Sequence, residues 1–280
     1  MMIDRLISRQ WWKTTLLVVL AVVVMVRLGI WQLDRLAQRK AFNTRVEAQL
    51  AEPPLDLTST NLALELYNME YRDAKVSGEY DHQSQVVLRN QDWQGRLGVH
   101  LLTPLIIDGS QQAVLVDRGW VPYEDFTAGK LAQYDQPGVV ELNGVIRRSQ
   151  TKPLIGGQED QIPGPGEPPL MAWYWININS ISDQMPYELL PVYLRSSPDP
   201  AMEELPFISQ QELELTEGSH LGYAFQWFTF AAILGIGYPI FIRKEEARAA
   251  GSTKKGAPYI QEKKTTQTNQ DGESKGYKKV

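Results

Sequence analysis

Tyr223 to Ile242 is a run of twenty residues without a formal charge, entered from an acidic segment through Ser219-His220-Leu221-Gly222. At about 1.5 Å of rise per residue, a helix of that length matches a hydrocarbon core about 30 Å thick. The run predicts a membrane span, with His220 at its polar edge, where an imidazole can face both water and lipid-soluble material. A second apolar run, Trp11 to Trp31, is interrupted only by Lys13 and Arg27. Both are placed to snorkel, and Trp11, Trp12 and Trp31 stand where interfacial aromatics are expected. A secretory signal is the competing reading, because the unbroken part from Thr14 to Val26 is short. Against it, no small-residue cleavage site follows, and a helical pattern continues through Gln32 to Lys40. No amphipathic, Arg-rich targeting segment stands ahead of the span, so a bacterial plasma membrane is expected rather than a mitochondrial one.

Charge orients the two spans. Residues 1–40 carry seven Lys/Arg against two Asp/Glu, residues 243–280 carry ten against five, and residues 41–242 carry eleven against twenty-six. Basic ends resist translocation, and Glu212, Glu214 and Glu217 precede the second span while Arg243, Lys244 and Arg248 follow it. Both termini are therefore expected on the cytoplasmic face and the acidic middle outside. That middle also excludes nucleic acid as a partner, since phosphate binding needs a basic surface. The absence of cysteine removes disulfides, thiolate metal sites and thioether haem attachment.

Between the spans the sequence reads as β. Short apolar or alternating runs occur at Arg72 to Glu79, Gln85 to Asn90, Val99 to Ile107, Ala113 to Val121, Val139 to Arg148, Ala172 to Ile178 and Pro191 to Arg195. Asp108-Gly109-Ser110 signals a hairpin. Helices are expected at Leu36 to Gln49 and Ile178 to Met185, covering an open sheet edge. Gln150 to Leu170, rich in Pro and Gly, reads as a loop, and the polar tail Thr265 to Val280 as disordered. The expected fold class is membrane α+β: a two-helix transmembrane hairpin flanking an extracytoplasmic antiparallel β-rich barrel or sandwich domain. Its boundaries are a cytoplasmic N-terminus at 1–12, spans at 13–34 and 219–243, the extracytoplasmic domain at 35–218, and a cytoplasmic tail at 244–280.

Enzyme signatures are missing: there is no phosphate-binding glycine loop, paired-His zinc helix or nucleophile elbow, and the chain has only three histidines, His82, His100 and His220. No catalytic residue is assigned. Asp117-Arg118-Gly119-Trp120 admits two readings, a partner-binding charge pair or an ion pair at a strand end with Trp120 closing the core. His220, Ala224 and Trp227 share one helical face with Tyr223 beside them, and a small residue between an imidazole and aromatic rings leaves space for a flat ring system. Arg35, and Arg27 about one turn before the end of the first run, lie at a depth suited to two carboxylates. The alternative is that His220 caps a helix end while Tyr223 and Trp227 form an interfacial belt.

Four motifs carry a resemblance. Leu28-Gly29-Ile30-Trp31-Gln32-Leu33-Asp34-Arg35, Gly98-Val99-His100-Leu101-Leu102-Thr103-Pro104, Val114 to Pro122 with Asp117-Arg118-Gly119-Trp120 at its centre, and His220 to Phe228 stand in the order and the relation to two spans seen in the surfeit-locus protein family of cytochrome c oxidase assembly factors, called Shy in yeast. Ser219 stands where that family often has Asn. The resemblance implies a non-enzymatic factor that assists delivery of haem a to the large catalytic subunit of the oxidase, working near haem a synthase at the membrane lipid. It also implies that His220 is the haem a position, holding the metal; Tyr223, Trp227, Trp31 and Arg35 are the surround expected from spacing and depth. The alternative within the resemblance is a membrane-anchored scaffold that binds oxidase subunits and carries no haem.

Overall fold

The computed structural model describes residues 6, 8–58, 65–150, 152, 156–164, 166–198, 204–209 and 213–255, with side chains described to Ala249. The tail expected to be disordered lies outside these residues. The elements are helices α1 (Trp12–Ala51), α2 (Tyr123–Thr127), α3 (Ile178–Ser182) and α4 (His220–Lys255), and strands β1 (Leu55–Asp56), β2 (Asp73–Tyr80), β3 (Val86–Trp93), β4 (Arg96–Ile107), β5 (Ala113–Pro122), β6 (Val139–Arg148), β7 (Ala172–Trp173) and β8 (Leu189–Ser196). The chain divides into two units, residues 1–34 with 219–280, and residues 35–218.

In the larger unit, β2, β6, β8, β5 and β4 pair in that order, and β2 pairs back onto β4 through Gly78 to Tyr80 against Leu105 to Ile107. The ring closes into a barrel, which leaves its strands no open edge. Alternation builds it: along β2 the side chains of Ala74, Val76 and Tyr80 are buried between exposed or half-buried neighbours. Those residues meet Leu105, Ile107, Val114, Val116, Ile146, Val192 and Leu194 in the barrel core. A second cluster, with Leu88, Leu102, Leu115, Trp173, Ile176, Ile181 and Tyr193, covers another face, and α2 with the turn at Leu131–Tyr134 covers a third through Phe126, Leu131 and Tyr134. Buried on both sides, β5 carries no exposed residue at all, which is why its sequence reads as a nearly continuous apolar run.

Three expectations change. The sheet is not wholly antiparallel, because β8 returns parallel to β5 after the long excursion from β6. The strand expected at Ala172 to Ile178 stops at Trp173: the Asp160 carboxylate takes the N–H groups of Tyr174 and Trp175, and Asn177 then caps α3 by accepting from Ser180 N. The helix expected at Leu36 to Gln49 is no separate cover but the continuation of the first apolar helix, since no Gly or Pro interrupts the chain between Trp31 and Ala51. Within the larger unit that continuation binds the segment leading to α4. Arg39 donates to the carbonyls of Glu214 (2.6 Å) and Thr216 (3.0 Å), Asn43 Nδ2 to that of Leu215 (2.7 Å), and Lys40 meets Glu217 at 3.3 Å.

The smaller unit is an antiparallel pair of helices. Trp11 meets Phe241 edge to face, Thr15 Oγ1 shares a hydrogen bond with Tyr238 Oη at 2.9 Å, and Phe228 packs on Gly29. Protected positions recur at three- and four-residue steps, as Thr15, Val18, Val22, Met25, Gly29 and Gln32 on α1 and His220, Ala224, Trp227, Ala231, Leu234 and Tyr238 on α4. This is a coiled-coil seam with small residues at its closest points. A Cβ at position 29 would lie 2.7 Å from the Phe228 ring, so Gly29→Leu is expected to separate the helices. A doubly labelled protein read by electron–electron resonance should report a widened or bimodal interhelical distance, against a single narrow one in the wild type. Both helices are long and apolar enough to cross a membrane.

Candidate functional site

His220 is the first residue of α4 and sits half-buried on the seam. Its Nδ1 lies 2.8 Å from Gln32 Oε1 on α1. An amide oxygen only accepts, so Nδ1 carries the proton and donates it, and the lone pair of the ring is left on Nε2. An imidazole fixed in this way is the arrangement found in metal-ligating histidines, whose second nitrogen is oriented by an acceptor.

The surrounding geometry differs from the expected slot. Ala224 does not leave room for a flat group between the helices; it is only 2 % exposed because α1 packs against it, and Phe228 closes the seam at Gly29. Trp31 and Tyr223 point away from the seam with 45 % and 51 % exposure, and Trp227 is half-buried, edge to face with Phe230 at 6.3 Å. Arg35 lies one turn beyond Trp31 on α1, exposed, and donates to Gln38 Oε1 at 3.0 Å; Arg27 is exposed as well. A haem would therefore be held by the free Nε2 of His220, beside the aromatic and apolar surface outside the seam, since the closed seam leaves no room for one between the helices. Among the described residues no group of three His, Cys, Asp or Glu side chains is placed to hold a metal ion. Gln32 was legible only as part of a motif, since nothing in its spacing alone marks it as the partner of His220.

In the barrel unit, Asp117 and Arg118 are both 4 % exposed and turn to different neighbours. The β4–β5 register shifts between Leu101 and Leu102, so that Leu101 faces Gly119 and Leu102 faces Asp117, leaving Arg118 as the extra residue of a bulge. Asp117 accepts from His100 Nδ1 at 2.9 Å and from Gly119 N at 3.1 Å, and Arg195 Nε lies 3.9 Å from its other oxygen. Arg118 instead lies over the Tyr80 ring at 4.7 Å and donates to Gln85 Oε1 and the Tyr134 carbonyl. The ion pair expected between the two is absent, because the bulge sends their side chains apart, and neither lies on the surface. Gly119 has φ +112°, and a Cβ there would sit 2.6 Å from the Phe207 carbonyl oxygen. Trp120, beside it, is fully buried, as expected, in a stack with Trp93 and Phe207.

Burial pushes the phenols of Tyr80 and Tyr193 up, and burial together with the Asp125 carboxylate raises Tyr134 to about 12. Tyr187 is raised by burial and by its hydrogen bond to Asp81. Groups whose folded pKa lies above the unfolded one stabilise the fold fully below the ordinary tyrosine range and cease to do so as pH rises through the folded values. The denaturation midpoint of the full-length protein in detergent is expected to hold up to about pH 10 and fall above it. A midpoint unchanged towards pH 12, where Tyr134 itself ionises in the folded protein, would be inconsistent with these burials.

A barrel carried in sequence between two long apolar helices, with one oriented imidazole opening the second helix, defines a β-barrel protein flanked by two candidate membrane-spanning helices. Residues 19–232 match the SURF1 family, so the chain belongs to that family, a family of cytochrome oxidase assembly factors. Among its relatives, a SURF1-like protein of Rickettsia bellii is 28% identical over 241 residues, covering 84% of this chain and 93% of its own. A SURF1-like protein of Monosiga brevicollis is 25% identical, covering 82% and 87%, and Surfeit locus protein 1 of Xenopus tropicalis is 24% identical, covering 77% and 71%. The match includes Gln32, Asp117, Arg118 and His220.

Proposed function

We propose that the protein is a membrane-anchored, non-enzymatic assembly factor that assists delivery of haem a to the large catalytic subunit of cytochrome c oxidase, working beside haem a synthase. The observation that carries this reading is the His220–Gln32 contact, which leaves the lone pair of Nε2 oriented at the polar end of an apolar helix pair, where it would hold the haem iron. Haem a is amphipathic, and a carrier for it belongs at the membrane surface. When bound, it supplies a ferric or ferrous iron open to one imidazole. Trp31 and Tyr223 offer exposed aromatic surface on the outside of the helix pair, Trp227 lies on the seam, and Arg35 is the guanidinium proposed for carboxylates. A single bond from one imidazole would suit a factor that must release its cargo. The charge distribution supports a bacterial plasma membrane, with both termini cytoplasmic and the barrel outside.

The closed seam supports a second reading, a scaffold whose barrel binds oxidase subunits and which carries no haem. Co-production with haem a synthase separates them: the carrier is expected to purify with haem a, the scaffold without it.

A further inference from the structure

Arg118 is a buried guanidinium with an incomplete set of partners. It uses two N–H groups, on Gln85 and Tyr134, out of the five that arginine carries, and no carboxylate lies within 4.0 Å of it among the described residues. Asp135 favours its charge from farther away but is itself engaged by His82 at 3.2 Å. Burial outweighs that distant attraction and disfavours the charged form, so the guanidinium is pushed below its ordinary range. The same side chain lines a cavity of about 600 Å³, walled by Tyr80, Val140, Leu142, Asn143, Ser196 and Ile208. Glu141, also on its wall, is exposed.

We propose that this cavity is a binding site for a small amphipathic carboxylate, its head on Arg118 and its apolar body against Val140, Leu142 and Ile208. The planar fork of arginine matches a carboxylate, and the charge offered is single. A phosphate dianion would call on a second arginine, yet Arg195 faces Asp117 at 3.9 Å and Arg147 faces Glu70 at 3.6 Å. The site is independent of His220 and of whether haem is carried.

The test uses full-length protein in lipid nanodiscs and equilibrium dialysis of radiolabelled octanoate, with empty nanodiscs as the blank. Saturable, one-to-one uptake that octanol does not compete is expected. Arg118→Met should weaken it by about thirtyfold or more, as loss of a buried charge partner does. Val140→Trp, which leaves Arg118 in place and fills the cavity, should abolish it, and this variant carries the test if Arg118→Met fails to fold. No saturable uptake up to about 10 mM, a concentration that would reveal even millimolar affinity, overturns the proposal, as does equal uptake by wild type and the cavity-filled variant.

Discussion

His220→Ala is expected to leave the protein in the membrane at wild-type abundance and to remove haem a from it. The substitution deletes the one imidazole oriented by Gln32, at the first turn of α4, while the seam that joins the helices is held below it by Ala224, Phe228 on Gly29, Ala231 and the Thr15–Tyr238 hydrogen bond. Structure and binding thus separate at this position. Gln32→Leu keeps the imidazole but leaves Nδ1 without its acceptor, so affinity should fall by about 10–100-fold, the usual cost of losing such an orienting partner. Gln32→Glu, which still accepts from Nδ1, should retain binding. Titration of haem a into apo protein in nanodiscs, with a parallel measure of haem a in the oxidase of the same cells, gives all three results. Equal affinity of His220→Ala and wild type would remove this residue from the site.

Trp120→Ala is expected to produce the largest loss of stability in the barrel, about 3–5 kcal/mol. The indole is fully buried, stacked with Phe207 at 6.2 Å and Trp93 at 6.4 Å, and its Nε1 donates to the Gln91 carbonyl at 3.2 Å. The backbone of the same residue exchanges hydrogen bonds with Phe207 at 2.8 and 2.9 Å, so side chain and main chain hold one strap against β5. Truncation leaves a cavity that the closed ring has little freedom to collapse into. At about 2–4 °C per kcal/mol for a domain of this size, the midpoint of thermal unfolding should drop by roughly 10 °C. Trp120→Phe, keeping an aromatic face, should lose much less. A drop of a degree or two for the alanine variant would mean that the stack is peripheral to the barrel.

How much of this was visible in the sequence depends on what each element had to bury. β2 and β6 show alternation because one face is covered and the other is not, whereas β5 lacks it, its apolar run broken only by Asp117-Arg118-Gly119, because both faces are covered. Ring closure was not visible, since it rests on three residue pairs between β2 and β4 far apart in sequence. Nor was the bulge at Arg118: Asp117 and Arg118 are adjacent letters, and only the one-residue slip against Leu101 and Leu102 sends one to His100 and the other to Tyr80. In the helices, the seam and the exposed faces are equally apolar, so hydrophobic periodicity carries no information there; Gly29, Ala224 and Ala231 were the available clue. Ala224 illustrates the limit. Its smallness was read as space for a cargo, and it serves the approach of α1 instead.

The central claim, that the helix pair presents His220 Nε2 to haem a, is tested most directly by the optical spectrum of the wild-type protein purified after co-production with haem a synthase. A Soret band of haem a at near one equivalent per chain, lost in His220→Ala and altered in Gln32→Leu, is the predicted result. A protein that is folded, membrane-bound and supports oxidase assembly yet shows no Soret band would contradict it.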